Sequence, residues 1–212
     1  MSEVAGKPVV AGSNPAGGST NKYHILLVIV RWWWDSRIYT RTGDKGDTYC
    51  AALKSRIPKD HPLIEFVGAL DEAISSLGMA ASFCRDSHSD IADLLTSFQR
   101  LLFNVGFLLS GHSNLTPQTV EELEAIVDKY MEGLDLKGFI LPGGSPCSST
   151  IHLARSVTRR AERRLASVIH NGGYGIGEDR LNLALKILNR LSDALFAIAF
   201  WVQSSEGRVE YL

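Results

Sequence analysis

The chain has 212 residues, the length of one domain with an appendage, and its 45% hydrophobic and 21% charged residues suit a globular chain rather than a disordered or membrane-embedded one. With 22 Lys and Arg against 23 Asp and Glu there is no overall field to attract nucleic acid or an anionic membrane, so any anion site must be local. Three widely spaced cysteines, Cys50, Cys84 and Cys147, argue against a disulfide framework and for a reducing, intracellular compartment.

Residues 1–37 read as an N-terminal extension. Gly12 to Thr20 is rich in Gly, Ser, Pro and Asn, and Ile25 to Trp34 is an apolar patch broken by Arg31. Its longest uninterrupted apolar stretch, Ile25 to Val30, falls far below the roughly 18 residues a membrane-spanning helix needs. A targeting peptide should be Arg-rich and amphipathic, and this segment carries only Arg31 and Arg37. A transit peptide, a disordered tail and a misassigned start all stay open. Asn114-Leu115-Thr116 is treated as a chance match to a glycosylation sequon.

From residue 38 onward the chain reads as one helical domain, 38–212. After His61, the residues Phe66, Leu70, Ala73, Ile74, Leu77 and Ala81 recur at the spacing of one helix face. A second stripe, Ile91, Leu94, Leu95, Phe98, Leu101, Leu102, Val105 and Leu109, ends at Gly111, a residue suited to a left-handed helix terminus. Thr116-Pro117 opens a third helix, with Glu121, Glu122 and Glu124 near its positive end, which stops near Gly133. Leu141 to Pro146 is a loop of breakers, followed by a helix over about 148–169 on which Leu153, Val157, Ala161 and Val168 share one sector, opposite Arg155, Arg159 and Glu162. Asn171 to Gly177, with four glycines, precedes a fifth helix over about 179–204. Five helices, short connections and no convincing strand run predict an all-α fold, an antiparallel five-helix bundle.

Three segments carry chemistry. Ile38 to Thr48 holds Thr40, Thr42, Gly43, Asp44, Lys45 and Gly46, the glycines, hydroxyls and cation of a phosphate cradle, with Asp44 suited to a divalent ion. It lacks the P-loop pattern, and a solvated Gly-Asp turn is the plainer alternative. On the fourth helix Arg155, Arg159, Arg160, Arg163 and Arg164 crowd around one acid, Glu162, and require an anion or acids from elsewhere. The fifth helix is apolar nearly all round apart from a stripe of Asn182, Lys186, Asn189 and Asp193, which must meet the basic helix or line a ligand site. Asp71, at the edge of the first helix's apolar stripe, calls for a salt-bridge partner.

Five blocks in order, Thr40-Arg41-Thr42-Gly43-Asp44-Lys45-Gly46, Val67 to Glu72, Phe139-Ile140-Leu141-Pro142-Gly143-Gly144, Arg159 to Arg163 and Leu188 to Asp193, resemble the PduO-type ATP:cob(I)alamin adenosyltransferases across residues 38–201. The resemblance implies a homotrimer of five-helix bundles with sites between subunits, using ATP, Mg²⁺ and cob(I)alamin. It implies that Thr40, Thr42, Gly43, Asp44, Lys45 and Gly46 wrap the triphosphate with Lys59, and that Arg159, Glu162 and Asn189 hold ATP from the helices. Arg155 and Asp71 resemble an intersubunit ion pair. Phe139 is similar to the aromatic that sits against the corrin and displaces the lower cobalt ligand, with Asp193 also on the corrinoid side. Lys45, Arg159, Asp71 and Arg155 are the implied catalytic set.

Reduced cobalt is itself the nucleophile in such a reaction, which accords with the lack of any Ser, Cys or His nucleophile arrangement. A cobalamin reductase and an adenosylcobalamin-dependent enzyme are implied partners, and the expected location is cytoplasm or, in a eukaryote, mitochondrial matrix. A corrinoid carrier of the same fold is the alternative, while a di-metal bundle is set aside because no Glu-x-x-His pair lies on a predicted helix. The extension, Asp47 with Tyr49-Cys50, and the long Asn171 to Gly177 link depart from the family pattern.

Overall fold

The computed structural model describes residues 39–212, so the readings of the N-terminal extension and of Ile38 lie outside the described residues. Residues 41–212 form one unit. Its helices are α1 (Pro62–Cys84), α2 (Ser89–Leu109), α3 (Gln118–Met131), α4 (Pro146–His170) and α5 (Glu178–Ser205). The whole predicted stripe of α1 is buried. His61 caps that helix, its Nδ1 accepting the Leu63 N–H at 3.1 Å, and Pro62 fills the first turn where no amide partner is lost. Gly111 ends α2 at φ 78°, and His112 N–H closes the turn onto Phe107 O at 3.0 Å, as the glycine predicted.

Side-chain pairs give the helix directions. Glu65 meets Arg164 near one end of the α1–α4 pair and Cys84 meets Cys147 at the other, so those helices run antiparallel. Asn189 with Glu162 and Gln203 with His152 set α5 antiparallel to α4. Consecutive helices alternate in direction, whereas α3 and α5 are parallel neighbours, joined by Glu124 with Arg190 and by the edge-on rings of Tyr130 and Trp201. Leu188, Leu191, Leu195 and Ile198 of α5 are fully buried, which explains its apolar circumference.

Three expectations are corrected. An antiparallel ribbon, β1 (Asp47–Cys50) and β2 (Ser55–Pro58), pairs Asp47 with Pro58 and Cys50 with Ser55 where no strand was expected. Its turn places Lys54 at φ 50°, a left-handed position usually marked by Gly or Asn, so the sequence carries no hairpin signal. Secondly, α4 buries Ile151, Ala154, Thr158, Ala161, Leu165 and Val168, while Leu153 is 48% exposed. Thr158 can occupy the centre of that face because its hydroxyl donates to Ala154 O at 2.8 Å, an option a count of apolar residues overlooks. Thirdly, Cys84 and Cys147 form a disulfide, their Cα atoms 4.7 Å apart across a sequence separation of 63. The pair joins the last residue of α1 to the first turn of α4, a proximity that only the packing creates, and it removes the cysteine argument for a reducing compartment. Cys50 is free and buried.

Candidate active site

The loop before β1 is built from turns. Asp44 N–H donates to Arg41 O at 3.5 Å, Gly46 N–H to Gly43 O at 3.2 Å, and Lys59 N–H to Gly46 O at 2.8 Å. Gly46 needs its lack of a side chain, since its φ is 88°. Gly43 serves a different purpose, because a Cβ there would lie 3.1 Å from Lys59 Nζ. The structure therefore brings Lys59 onto the loop. Arg56 Nη2 donates to Thr42 O at 2.6 Å and Asp47 O at 2.9 Å, tying the loop to β2. Sequence reasoning missed Arg56, which only the ribbon brings into place. Thr42, Asp44, Lys45 and Gly46 are exposed. Thr40 is exposed and falls just before the unit that begins at Arg41.

The five arginines of α4 separate into two stripes. Arg160 and Arg164, four apart, reach Glu72 and Glu65 of α1. Arg155, Arg159 and Arg163, also at intervals of four, form no ion pair among the described residues. Arg155 Nε is buried without a hydrogen-bond partner, and its guanidinium carbon stands 5.8 Å from the Phe196 ring centre. Burial, and then the like charge of Arg159, hold the Arg155 guanidinium below its usual pKa. This edge of α4 holds positive charge that no ion pair neutralises among the described residues.

Glu162 lies beside the unpaired stripe and accepts from Asn189 Nδ2 at 2.9 Å, so the polar stripe of α5 meets the basic helix at Asn189, while Asn182 and Lys186 are exposed. Asp193 accepts from Arg190 Nη1 at 2.9 Å, and Arg190 also reaches Glu124 at 2.9 Å. Asp71 is exposed and makes no ion pair among the described residues, and it is not brought to Arg155 of the same chain.

Phe139 stands 81% exposed before α4, an unusual setting for a phenyl ring. Its backbone is nonetheless tied down: Leu212 N–H donates to Phe139 O and Leu141 N–H to Glu210 O, each at 2.9 Å. Ser148 Oγ donates to Gly143 O at 2.7 Å. Buried His152 and Gln203, behind this loop, were missed because a lone His or Gln on an apolar helix gives no motif.

The family described as Cobalamin adenosyltransferase matches residues 38–202. The chain belongs to that family. Among curated relatives, the corrinoid adenosyltransferase of Bacillus subtilis is 38% identical over 185 residues, covering 82% of this chain and 92% of that protein. The human one is 37% identical over 186 residues, covering 82% and 72%. A phenylalanine-to-histidine variant of the PduO-type ATP:corrinoid adenosyltransferase of Lactobacillus reuteri, complexed with cobalamin and ATP, superposes with TM-score 0.74 at 32% identity over 83% of this chain and 96% of that one. An arginine-to-lysine variant from the same organism, complexed with ATP, gives 0.73 at 30% identity over 83% and 99%. The five-helix fold expected from the five sequence blocks is the fold of this family. Among the described residues no helix is long and apolar enough to cross a membrane.

Proposed function

We propose that the chain transfers the 5′-deoxyadenosyl group of ATP to the cobalt of cob(I)alamin, giving adenosylcobalamin and triphosphate. The observation that carries this reading is the unpaired stripe Arg155, Arg159 and Arg163, on a helix whose other arginines are neutralised within the chain. Unpaired guanidinium groups beside a half-buried carboxamide, Asn189, suit a polyphosphate and a nucleoside.

The electron pair comes from the reduced cobalt of the corrinoid substrate. As it attacks C5′, the C5′–O bond breaks and triphosphate leaves with the bonding pair. Lys45, Lys59 and Arg159, with backbone N–H groups of the glycine loop, meet the growing charge on the leaving oxygens. Magnesium fits as a companion of the nucleotide. Among the described residues no three His, Cys, Asp or Glu side chains converge, so Asp44 and loop hydroxyls would supplement phosphate and water ligands. An aromatic at Phe139 gives the corrin an apolar wall that keeps water from the reacting face.

The loop at 41–46 lies at the N-terminal end of α1, whereas Phe139 lies by the start of α4, beside the C-terminal end of α1. A helix of 23 residues separates these ends by about 35 Å, several times the reach of a triphosphate. This separation supports a site completed by a second copy of the chain, as in a homotrimer where Asp71 of one copy meets Arg155 of the next. The family match over residues 38–202 supports reading residues 38–212 as the catalytic domain, without residues 1–37. We place the protein inside the cell, in cytoplasm or mitochondrial matrix, supplied by a cobalamin reductase and serving an adenosylcobalamin-dependent enzyme.

The test is to mix purified protein with ATP, Mg²⁺ and chemically reduced cobalamin and to follow the absorbance change of cobalt–carbon bond formation, with light scattering for the assembly. Tight corrinoid binding without that change would make the chain a carrier.

A further inference from the structure

The exposed Phe139 is two residues from a carbonyl that a buried side chain holds. Gln203, fully buried near the end of α5, donates through Nε2 to Leu141 O at 3.2 Å. Because a carbonyl can only accept, this contact fixes the orientation of the carboxamide, and Oε1 must face His152 Nε2, 3.0 Å away. His152 Nε2 is therefore the protonated nitrogen and donates. His152 is itself 2% exposed, its Nδ1 has no hydrogen-bond partner, and burial with the nearby Arg155 charge favours its neutral form. A chain of two hydrogen bonds thus runs from α4 through α5 to the loop. The fit is close. At Gly144, with φ 89°, a Cβ would come within 3.0 Å of Gln203 Cγ and 2.6 Å of Ser148 Oγ.

The cost of burying this carboxamide needs an explanation, since leucine would fill the same volume with no polar group to satisfy. Fixing the carbonyl of Leu141 supplies one. With Glu210 O taking the N–H of the same residue, both polar backbone groups of Leu141 are committed, and Phe139 is left at the end of a short, immobilised lever. A ring that must stand in solvent before its ligand arrives has no packing of its own to orient it.

From this geometry we infer that Gln203, oriented by His152, is a positioning residue for the corrinoid, acting through the Leu141 carbonyl to hold Phe139 where the corrin docks. The inference rests on the adenosyltransferase reading. Gln203→Met keeps the length and volume of the side chain but removes the donor to Leu141 together with the acceptor facing His152.

This variant should raise the KM for cob(I)alamin about tenfold, the scale of one buried hydrogen bond, and leave the KM for ATP within about twofold. The double variant with Phe139→Ala should be no worse than Phe139→Ala alone, because the amide acts through the ring. Equal losses for both substrates, independent additive losses, or unchanged kinetics would overturn the inference. Should Gln203→Met fail to fold, His152→Phe, which removes only the far partner of the amide, should give the same substrate-selective pattern more weakly, and its absence is equally damaging. Wild-type protein that forms no cobalt–carbon bond would refute the function itself, a result distinct from an active wild type with an indifferent Gln203.

Discussion

The two loops of the proposed site are held in opposite ways. The glycine loop at 41–46 is exposed and braced by backbone turns and by Arg56 and Lys59 from β2 and the residues just beyond it. The loop at 139–145 is fastened by buried Gln203, by Ser148 and by the chain's last residues, and the Cys84–Cys147 disulfide pins the helix turn that follows it. A triphosphate brings its own charge and can complete a loop of donors on arrival. On the proposed reading a corrin face offers mainly flat apolar area, so orienting its partner ring beforehand lowers the cost of docking.

The largest effect that could break this contrast is reduction of the disulfide. Opening a loop with sequence separation 63 should lower the unfolding free energy by about 4 kcal/mol, read from urea melts with and without reductant. A loss below about 1 kcal/mol would mean that this end is not pinned by the bond. Next, Arg159→Ala removes a charge-assisted contact of about 1.5–3 kcal/mol, so kcat/KM for ATP should fall about 10- to 150-fold. Lys45→Ala should lower turnover about tenfold with the corrinoid KM unchanged, and the reverse pattern would exchange the roles of the two loops.

A smaller effect is set by His152. Burial lowers its folded-state pKa below 6.5, so the unfolded chain binds the proton more readily. Its contribution to stability is therefore present above pH 6.5 and declines as pH falls through 6.5 towards the lowered value. Melting temperatures measured from pH 7.5 to 5 should drop more in the wild type than in His152→Gln. Smallest of all, Arg160→Ala removes an exposed ion pair with Glu72 and should cost below about 1 kcal/mol, with ATP kinetics unchanged. An Arg160→Ala defect as large as that of Arg159→Ala would erase the distinction between the two arginine stripes.

Much of the fold was legible because burial is periodic. Phe66 to Ala81 and Ile91 to Leu109 announce two helices, and Gly111 announces an end, through physics local to each segment. What escaped depends on contacts between distant residues. The ribbon has four-residue strands and a lysine in the left-handed turn position; the disulfide joins cysteines that only helix packing brings together. The crowding of arginines on α4 was visible, but the sequence could not divide them, because Glu65 and Glu72 on another helix decide which are neutralised. Asn189 could be singled out as a polar residue on an apolar helix. Gln203 could not, since its meaning lies in a carbonyl 62 positions away.

Gly143 and Gly144 look interchangeable on paper. At Gly143 a methyl group would meet nothing nearer than Leu141 O at 3.9 Å, while at Gly144 it would collide with the side chains that anchor the segment. Anyone reshaping the loop proposed to dock the corrinoid therefore has one adjustable joint and one fixed joint, side by side. Bulk introduced at the first should alter the loop's surface alone; bulk at the second should displace the segment from the side chains that hold it.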